Sequence, residues 1–241
     1  MLIDYICEKH GTKKLELFGY EKAAYESRKD YPHAIEEFVR TQLKCPLCSK
    51  ELQIEAFKNQ SCIPLRFKSC SFDNFQKTKE KEIALDYVKN FQDRQKQGTS
   101  LVFCGTTGTG KTHLASALSF YLIENFQTKI LYTKAFDVLR EVKETYNKSS
   151  KKTFSDVQDK HAKVDLLIID EVGVQFGTET EKQILFEIIN ERYENLRPTI
   201  LITNLSLTNL KEFAGDRVID RMKENGGKIV VFTGESFRGK K

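Results

Sequence analysis

Gly105-Thr106-Thr107-Gly108-Thr109-Gly110-Lys111-Thr112 follows the apolar run Leu101-Val102-Phe103-Cys104 and leads into His113-Leu114-Ala115-Ser116-Ala117-Leu118. The order is a buried strand, a glycine-rich turn and a helix start, and it matches the phosphate-binding pattern G-x-x-x-x-G-K-[ST]. Glycines let the backbone curl until its N–H groups face an anion, and the helix N-terminus adds partial positive charge. Residues Gly105, Thr106, Thr107, Gly108, Thr109 and Gly110 are thereby expected to cradle the phosphates of ATP. Lys111 would reach the β- and γ-phosphates, and the Thr112 hydroxyl would ligate Mg²⁺. A tight turn that merely contains a lysine is the alternative, and the flanking strand and helix speak against it.

The second landmark is Asp165-Leu166-Leu167-Ile168-Ile169-Asp170-Glu171, an apolar strand ending in two acids. Asp170 would hold Mg²⁺ through water, and Glu171 would polarise the attacking water as general base. Such a strand is common on its own; at this distance behind a phosphate loop it gains force. Between the two, Lys129 to Thr133 reads as a strand and Ala135 to Tyr146 as a helix with Phe136, Val138, Leu139 and Val142 as apolar positions. Upstream, Thr78 to about Gln95 reads as one helix closed by Gly98. Downstream, Thr180 to Asn195 is a helix with Ile184, Leu185, Ile188 and Ile189 inward. Pro198 to Asn204 and Lys228 to Phe232 are further strands. Asn204, at a strand tip, is placed either to bridge the γ-phosphate and the attacking water or simply to cap the next turn. Arg217 and Arg221 are four apart on one face of a short helix whose Val218, Ile219 and Met222 make apolar contacts. Alternating strands and helices predict an α/β fold with a five-stranded parallel sheet flanked by helices.

The 241 residues suit an α/β domain with a small appendage, and 39% hydrophobic content is enough to build a core. No apolar run is long enough to cross a bilayer, and Met1-Leu2-Ile3-Asp4-Tyr5 lacks the layout of a secretory signal, so the expected location is cytoplasmic, with no membrane partner. A net charge of +5 does not by itself announce a nucleic-acid binder. The basic runs at Lys148, Lys151 and Lys152 and at Arg238, Lys240 and Lys241 would ordinarily be solvated surface.

Five of the six cysteines, Cys7, Cys45, Cys48, Cys62 and Cys70, precede the strand that leads into the phosphate loop. Cys7-Glu8-Lys9-His10 and Cys45-Pro46-Leu47-Cys48 are short chelating pairs that together could close a tetrahedral Zn²⁺ site, with no position open for catalysis. Free thiols are the plain alternative, and Cys62 or Cys70 could replace Cys7 and His10 in the ligand set. Ile35, Phe38, Val39 and Leu43 between the pairs have helical spacing, and so small a module would gain much from a metal crosslink. The expected division is a zinc-binding module over residues 1–62 and an ATPase domain over residues 63–241.

Taken together, these residues resemble the AAA+ helicase loaders of the bacterial and phage DnaC type. The resemblance runs from about Phe67 onward and includes Cys70-Ser71-Phe72, the phosphate loop with His113-Leu114-Ala115, and Asp165 to Gly173. Gly215-Asp216-Arg217-Val218-Ile219-Asp220-Arg221-Met222 and Glu235-Ser236-Phe237-Arg238 complete it. It implies that Arg221, with Arg217 beside it, is an arginine finger inserted into a neighbouring subunit's ATP site, and that Arg238 is sensor II. It also implies self-association around single-stranded DNA, with Lys143, Lys148, Lys151 and Lys152 as phosphate contacts and Tyr146 as a stacking residue. The implied partner is a hexameric replicative helicase, bound through the N-terminal module. An IstB-type transposition regulator, acting on duplex DNA with a transposase, shares the same core.

Overall fold

A computed structural model describes residues 1–43, 45–147, 149–174 and 178–237. The chain divides into two compact units, Met1–Ala56 and Phe57–Lys241. The division falls before residue 62 because the last turn of the linking helix α3 (Pro46–Gln60) belongs with the second unit. There Lys58 pairs with Glu124 at 2.6 Å, and the Ser61 carbonyl accepts the Tyr132 N–H at 2.8 Å.

The first unit opens with a hairpin that the sequence reading did not foresee, β1 (Leu2–Cys7) and β2 (Gly11–Glu16), paired from Leu2↔Glu16 to Cys7↔Gly11. Side chains alternate across a strand, so Ile3, Tyr5 and Leu15 face a small core of Leu17, Ala24, Phe38 and Leu43. Two helices follow, α1 (Gly19–Glu26) and α2 (Pro32–Gln42). The second supplies the expected helical spacing, with Phe38 buried and Val39 packed against the same core.

The second unit carries five parallel strands: β3 (Leu101–Gly105), β4 (Ile130–Lys134), β5 (Leu166–Val172), β6 (Thr199–Thr203) and β7 (Lys228–Phe232). Their spatial order is β4-β5-β6-β3-β7. Leu101, Val102, Phe103 and Cys104 have no exposed surface, as do Leu166 to Ile169. Continuous burial is what helices on both faces of a parallel sheet impose. The edge strand β4 is covered at Tyr132 by the Ser61 carbonyl, which occupies an otherwise unpaired donor.

Three expectations change. The segment from Thr78 is two helices, α4 (Lys79–Lys89) and α5 (Phe91–Gln97), separated at Asn90, whose side chain bonds back to Asp86 and whose backbone leaves the helical region. Gly98 closes only the second, with φ +70. Phe136 on α7 (Ala135–Thr145) is 59% exposed rather than inward, while Ala135, Val138, Leu139 and Val142 form the buried stripe. Within the second unit two helices lie where the sequence pattern predicts none: α8 (Phe154–Ala162), begun by a Thr153/Asp156 capping box, and α10 (Leu207–Ala214), capped by Ser206. The remaining helices are α6 (Lys111–Phe126), α9 (Glu179–Glu194) and α11 (Asp216–Lys223). Among the described residues no helix is long and apolar enough to cross a membrane.

Candidate functional site

The phosphate loop joins β3 to α6 at the carboxyl ends of the strands, where open α/β sheets form their crevices. Gly105 and Gly108 both have positive φ, and a Cβ at either would collide: at Gly105 with the backbone of Phe232, at Gly108 with the Ser236 side chain. The loop is therefore held between the end of β7 and the segment after it, where the Phe237 N–H donates to the Gly108 carbonyl at 2.9 Å. Lys111 is buried, and its Nζ donates to the carbonyls of Gly105 and Thr106 at 2.8 and 2.6 Å. Thr109 Oγ1 closes the turn on the Thr106 carbonyl at 2.8 Å.

The end of β5 meets this loop. Thr112 Oγ1 donates to Asp170 Oδ2 at 2.8 Å, and the Tyr132 hydroxyl donates to the same oxygen at 2.5 Å. Burial, and next the Asp170 charge, push the Tyr132 phenol far above its ordinary range, so it stays a donor. Ladder pairing between β5 and β6 slips by one residue between Ile169 and Val172. Such a bulge re-aims side chains at functional sites, and here Glu171 adopts φ +59, a left-handed conformation uncommon outside glycine. The Glu171 N–H donates to Asp170 Oδ1 at 2.6 Å, and its carboxylate pairs with Lys134 Nζ at 3.1 Å. The adjacent acids thus point to different partners, one toward Thr112 and the other toward the end of β4.

A cavity of about 740 Å³ opens over these groups, lined by Thr107, Lys111, Thr112, Asp170, Glu171 and Asn204, and it continues along the segment from Arg66 to Gln76. That is ample for a nucleoside triphosphate. Asn204 is exposed at its rim, and Ser206 rather than Asn204 caps the following helix. At the far end Asn74 Oδ1 accepts the Ser71 N–H at 2.9 Å and lies 2.8 Å from His113 Nε2, while Phe75 meets the His113 ring edge-on at 5.3 Å. Burial lowers the His113 pKa, which favours a neutral ring. Tyr132, Lys134 and Asn74 were not singled out by sequence. For the first two, lying at the carboxyl end of a parallel strand was the available signal.

Arg217 and Arg221 are not part of that cavity's lining among the described residues. Arg217 is exposed on α11. The Arg221 guanidinium sits between two rings of α9, 4.7 Å from the Phe186 centroid and 5.3 Å from that of Tyr193, and the Tyr193 hydroxyl donates to Glu224 at 2.5 Å. Arg238 and Lys148 lie outside the described residues. Lys143, Tyr146, Lys151 and Lys152 are exposed along and after α7, with Lys143 paired to Glu181 at 3.0 Å. A second hollow of about 300 Å³ beside it is lined by Phe136, Arg140, Lys143 and Glu181 among others.

In the first unit the hairpin turn and the start of α3 bring Cys7, His10, Cys45 and Cys48 together, all ligand atoms within 4.8 Å of one another. His10 Nδ1 lies 3.5, 3.6 and 3.4 Å from the sulfurs of Cys7, Cys45 and Cys48, and the sulfurs of Cys7 and Cys48 are 3.6 Å apart. A tetrahedral zinc with Zn–S bonds of about 2.3 Å and a Zn–N bond of about 2.0 Å has S–S edges of about 3.8 Å and N–S edges of about 3.5 Å, so the donor set fits in kind and these contacts fit in spacing. Burial raises the Cys7 thiol, but the N–H groups of His10 and Lys9 outweigh it and the net shift is downward. Cys48 is pushed up to about 11, chiefly by its hydrogen bond with Cys7. Cys62 and Cys70 are not in the cluster; Cys62 donates to the Gln60 carbonyl and Cys70 lines the large cavity.

The model of the IstB-like ATP binding protein family matches residues 21–241. "Uncharacterized protein YdaV" of Escherichia coli (strain K12) is 36% identical over 194 residues, 79% of this chain and 76% of that protein. "Replicative helicase loader DnaC" of Buchnera aphidicola subsp. Baizongia pistaciae is 34% identical over 197 residues, 80% of this chain and 78% of the relative. A crystal structure of the DnaC helicase loader has the same fold, with a TM-score of 0.61 at 23% identity over 70% of this chain and 99% of that one. The sheet and its helices are the AAA+ form of the P-loop NTPase fold.

Proposed function

The chain belongs to the family of IstB-like ATP binding proteins, and we propose that it is an ATP-hydrolysing loader that delivers a replicative helicase to single-stranded DNA. The observation that carries the loading role is the match to a protein named as a replicative helicase loader across 80% of this chain. What supports hydrolysis is the meeting of Lys111, Thr112, Asp170, Glu171 and Asn204 around one cavity.

Mg²⁺, when bound, would offset the charge that develops as the γ-phosphoryl group transfers. In this scheme Thr112 and Asp170, already 2.8 Å apart, hold that ion. The loop amides and Lys111 bind the phosphates. Glu171 accepts the proton of the attacking water as oxygen bonds to the γ-phosphorus and ADP departs. Asn204 orients that water. Arg221, flanked by Arg217, acts on the site of a neighbouring copy, and Arg238 completes the site of its own chain. Lys143, Tyr146, Lys148, Lys151 and Lys152 are the proposed contacts to single-stranded DNA, with hydrolysis timing its release. Cys7, His10, Cys45 and Cys48 hold a structural Zn²⁺ in the first unit, the region assigned to helicase binding.

The deciding experiment is a pull-down with the hexameric replicative helicase of the same cell, with and without ATP. Retention of the helicase supports the loader. No retention, together with duplex-DNA binding in ATP, points instead to a transposition regulator, the role implied by the family's IstB name. Glu171→Gln should abolish turnover and leave ATP binding intact; unchanged turnover excludes Glu171 as the base.

A further inference from the structure

The imidazole of His10 is gripped at both nitrogens. Nδ1 faces the three sulfurs at 3.4 to 3.6 Å, while Nε2 lies 3.3 Å from Glu51 Oε1. The other carboxylate oxygen of Glu51 is 2.6 Å from Lys9 Nζ. Glu51 stands three residues after Cys48 on α3, so both project from one helix face. Lys9 precedes His10 in the hairpin turn. The six-residue arrangement thus joins two chelating pairs from distant stretches of sequence to an acid and a base that are not ligands.

We propose that Glu51 is the positioning residue of the N-terminal metal site, fixing His10 as an Nδ1 ligand, with Lys9 balancing its charge; this rests on the zinc assignment above. A neutral imidazole carries its proton on one nitrogen and offers a lone pair on the other. A carboxylate beside Nε2 accepts an Nε2–H and so leaves the Nδ1 lone pair directed at the sulfurs. The hydrogen bond also restrains ring rotation and makes Nδ1 a stronger donor. Charge explains the lysine. Three thiolates and Zn²⁺ carry a net charge of −1, and an adjacent carboxylate adds to it. An ammonium at 2.6 Å offsets the repulsion that Glu51 would otherwise feel. Among the described residues the cluster that could hold a metal contains Cys7, His10, Cys45 and Cys48 but not Glu51, consistent with the carboxylate acting through the ring rather than on the ion.

The test uses the intact chain and Zn²⁺ itself, with affinity measured by competition against a chromophoric chelator. The unmodified chain should bind one equivalent. Glu51→Ala should keep that stoichiometry and lose roughly 10- to 100-fold in affinity, the usual effect of removing such a partner. Glu51→Gln, whose amide oxygen still accepts a hydrogen bond, should recover part of the loss, and Lys9→Ala should cost less than Glu51→Ala. Nitrogen-15 spectra of the zinc-loaded chain should show His10 protonated at Nε2 and metal-bound at Nδ1. Unchanged affinity in Glu51→Ala, or binding through Nε2, overturns the role of Glu51 while leaving the zinc site standing. An unmodified chain that takes up no metal overturns the zinc site and this role together.

Discussion

Replacing Arg192 with methionine should unfold the ATPase unit at a markedly lower temperature. Arg192 lies on α9 with no exposed surface. Its guanidinium donates to Thr199 Oγ1 at 3.0 Å and to the carbonyls of His161, Ala162, Val164 and Pro198 at 2.9, 2.8, 3.0 and 2.6 Å. Burial, and next the nearby Arg197 charge, lower its pKa to about 9, so it stays a cation at neutral pH. Because the folded-state value lies below the unfolded one, stability rises only as pH climbs above 9, and experiments near neutrality see no titration. Methionine keeps the buried stem but removes every donor. Arg197 still serves the Ala162 carbonyl at 3.0 Å and the Leu167 N–H the Pro198 carbonyl at 3.4 Å, leaving the His161 and Val164 carbonyls and Thr199 Oγ1 to lose their partner. At about 1 to 3 kcal/mol per orphaned group, partly offset by no longer burying a charge, the net cost is about 3 to 5 kcal/mol. For a unit of this size that lowers the melting temperature by about 6 to 20 °C. Circular dichroism is the suitable probe, since the chain has no tryptophan. The consequence reaches the site, because Val164 and Pro198 precede β5 and β6, whose far ends carry Asp170, Glu171 and Asn204. A methionine variant that melts at or above the parent temperature refutes the account, since the carbonyls must then have other partners.

Lys134→Ala should raise basal ATP turnover by at most about fivefold, the worth of about 1 kcal/mol for a half-exposed ion pair holding the Glu171 carboxylate; a fall in steady-state phosphate release would instead make Lys134 a substrate contact. Arg221→Ala should lose DNA- or partner-stimulated hydrolysis. Mixing it with Lys111→Ala should restore part of that activity if the arginine acts between copies, and no recovery argues that it acts within its own chain. The hydrogen bond from the Lys143 ammonium outweighs burial, with the Thr178 N–H adding to it, and holds the Glu181 carboxyl below its ordinary value of 4.5. Its contribution to stability is present above that value and lost as pH falls through the lowered one. Glu181→Gln should therefore flatten the acid limb of a pH–stability curve, and an unaltered limb would dismiss the pair as a stabilising contact.

What could be read from sequence follows from how few residues a given chemistry allows. Gly105 and Gly108 sit where a side chain collides with neighbouring chain, so they announce themselves. The apolar runs of β3 and β5 are continuous because both faces of the sheet are covered. The hairpin was hidden because Leu2 and Ile6 on its outer face are exposed and apolar, at 64% and 76%, which blurs the alternation that marks a half-buried strand. Phe136 misled in the opposite sense, being an aromatic at helical spacing that faces solvent. Arg192, between Asn190 and Glu194 in a polar stretch, reads as surface charge. Only the convergence of α8, α9 and β6 makes it a buried hub. Glu51 was equally silent, since its meaning depends on a histidine 41 residues away.

The geometry also bears on why turnover in the proposed scheme would depend on assembly. Groups for phosphate, metal and water come from β3, α6, β5 and β6 of one chain, yet the carboxylate assigned as base is paired with Lys134. The cation proposed to stimulate turnover lies elsewhere. Val218, Ile219 and Met222 bury one side of α11, and the Arg221 guanidinium is clasped between Phe186 and Tyr193 with its Nη1 buried and lacking an acceptor among the described residues. A guanidinium against aromatic faces keeps its charge and loses orientational freedom, so less entropy remains to be lost when an anionic partner arrives. The cation is thus ordered in advance but faces no phosphate of its own chain. A second copy supplying the phosphate would meet the electrostatic demand of the transferring group, and in this proposal that would make hydrolysis a report on neighbours rather than on nucleotide alone.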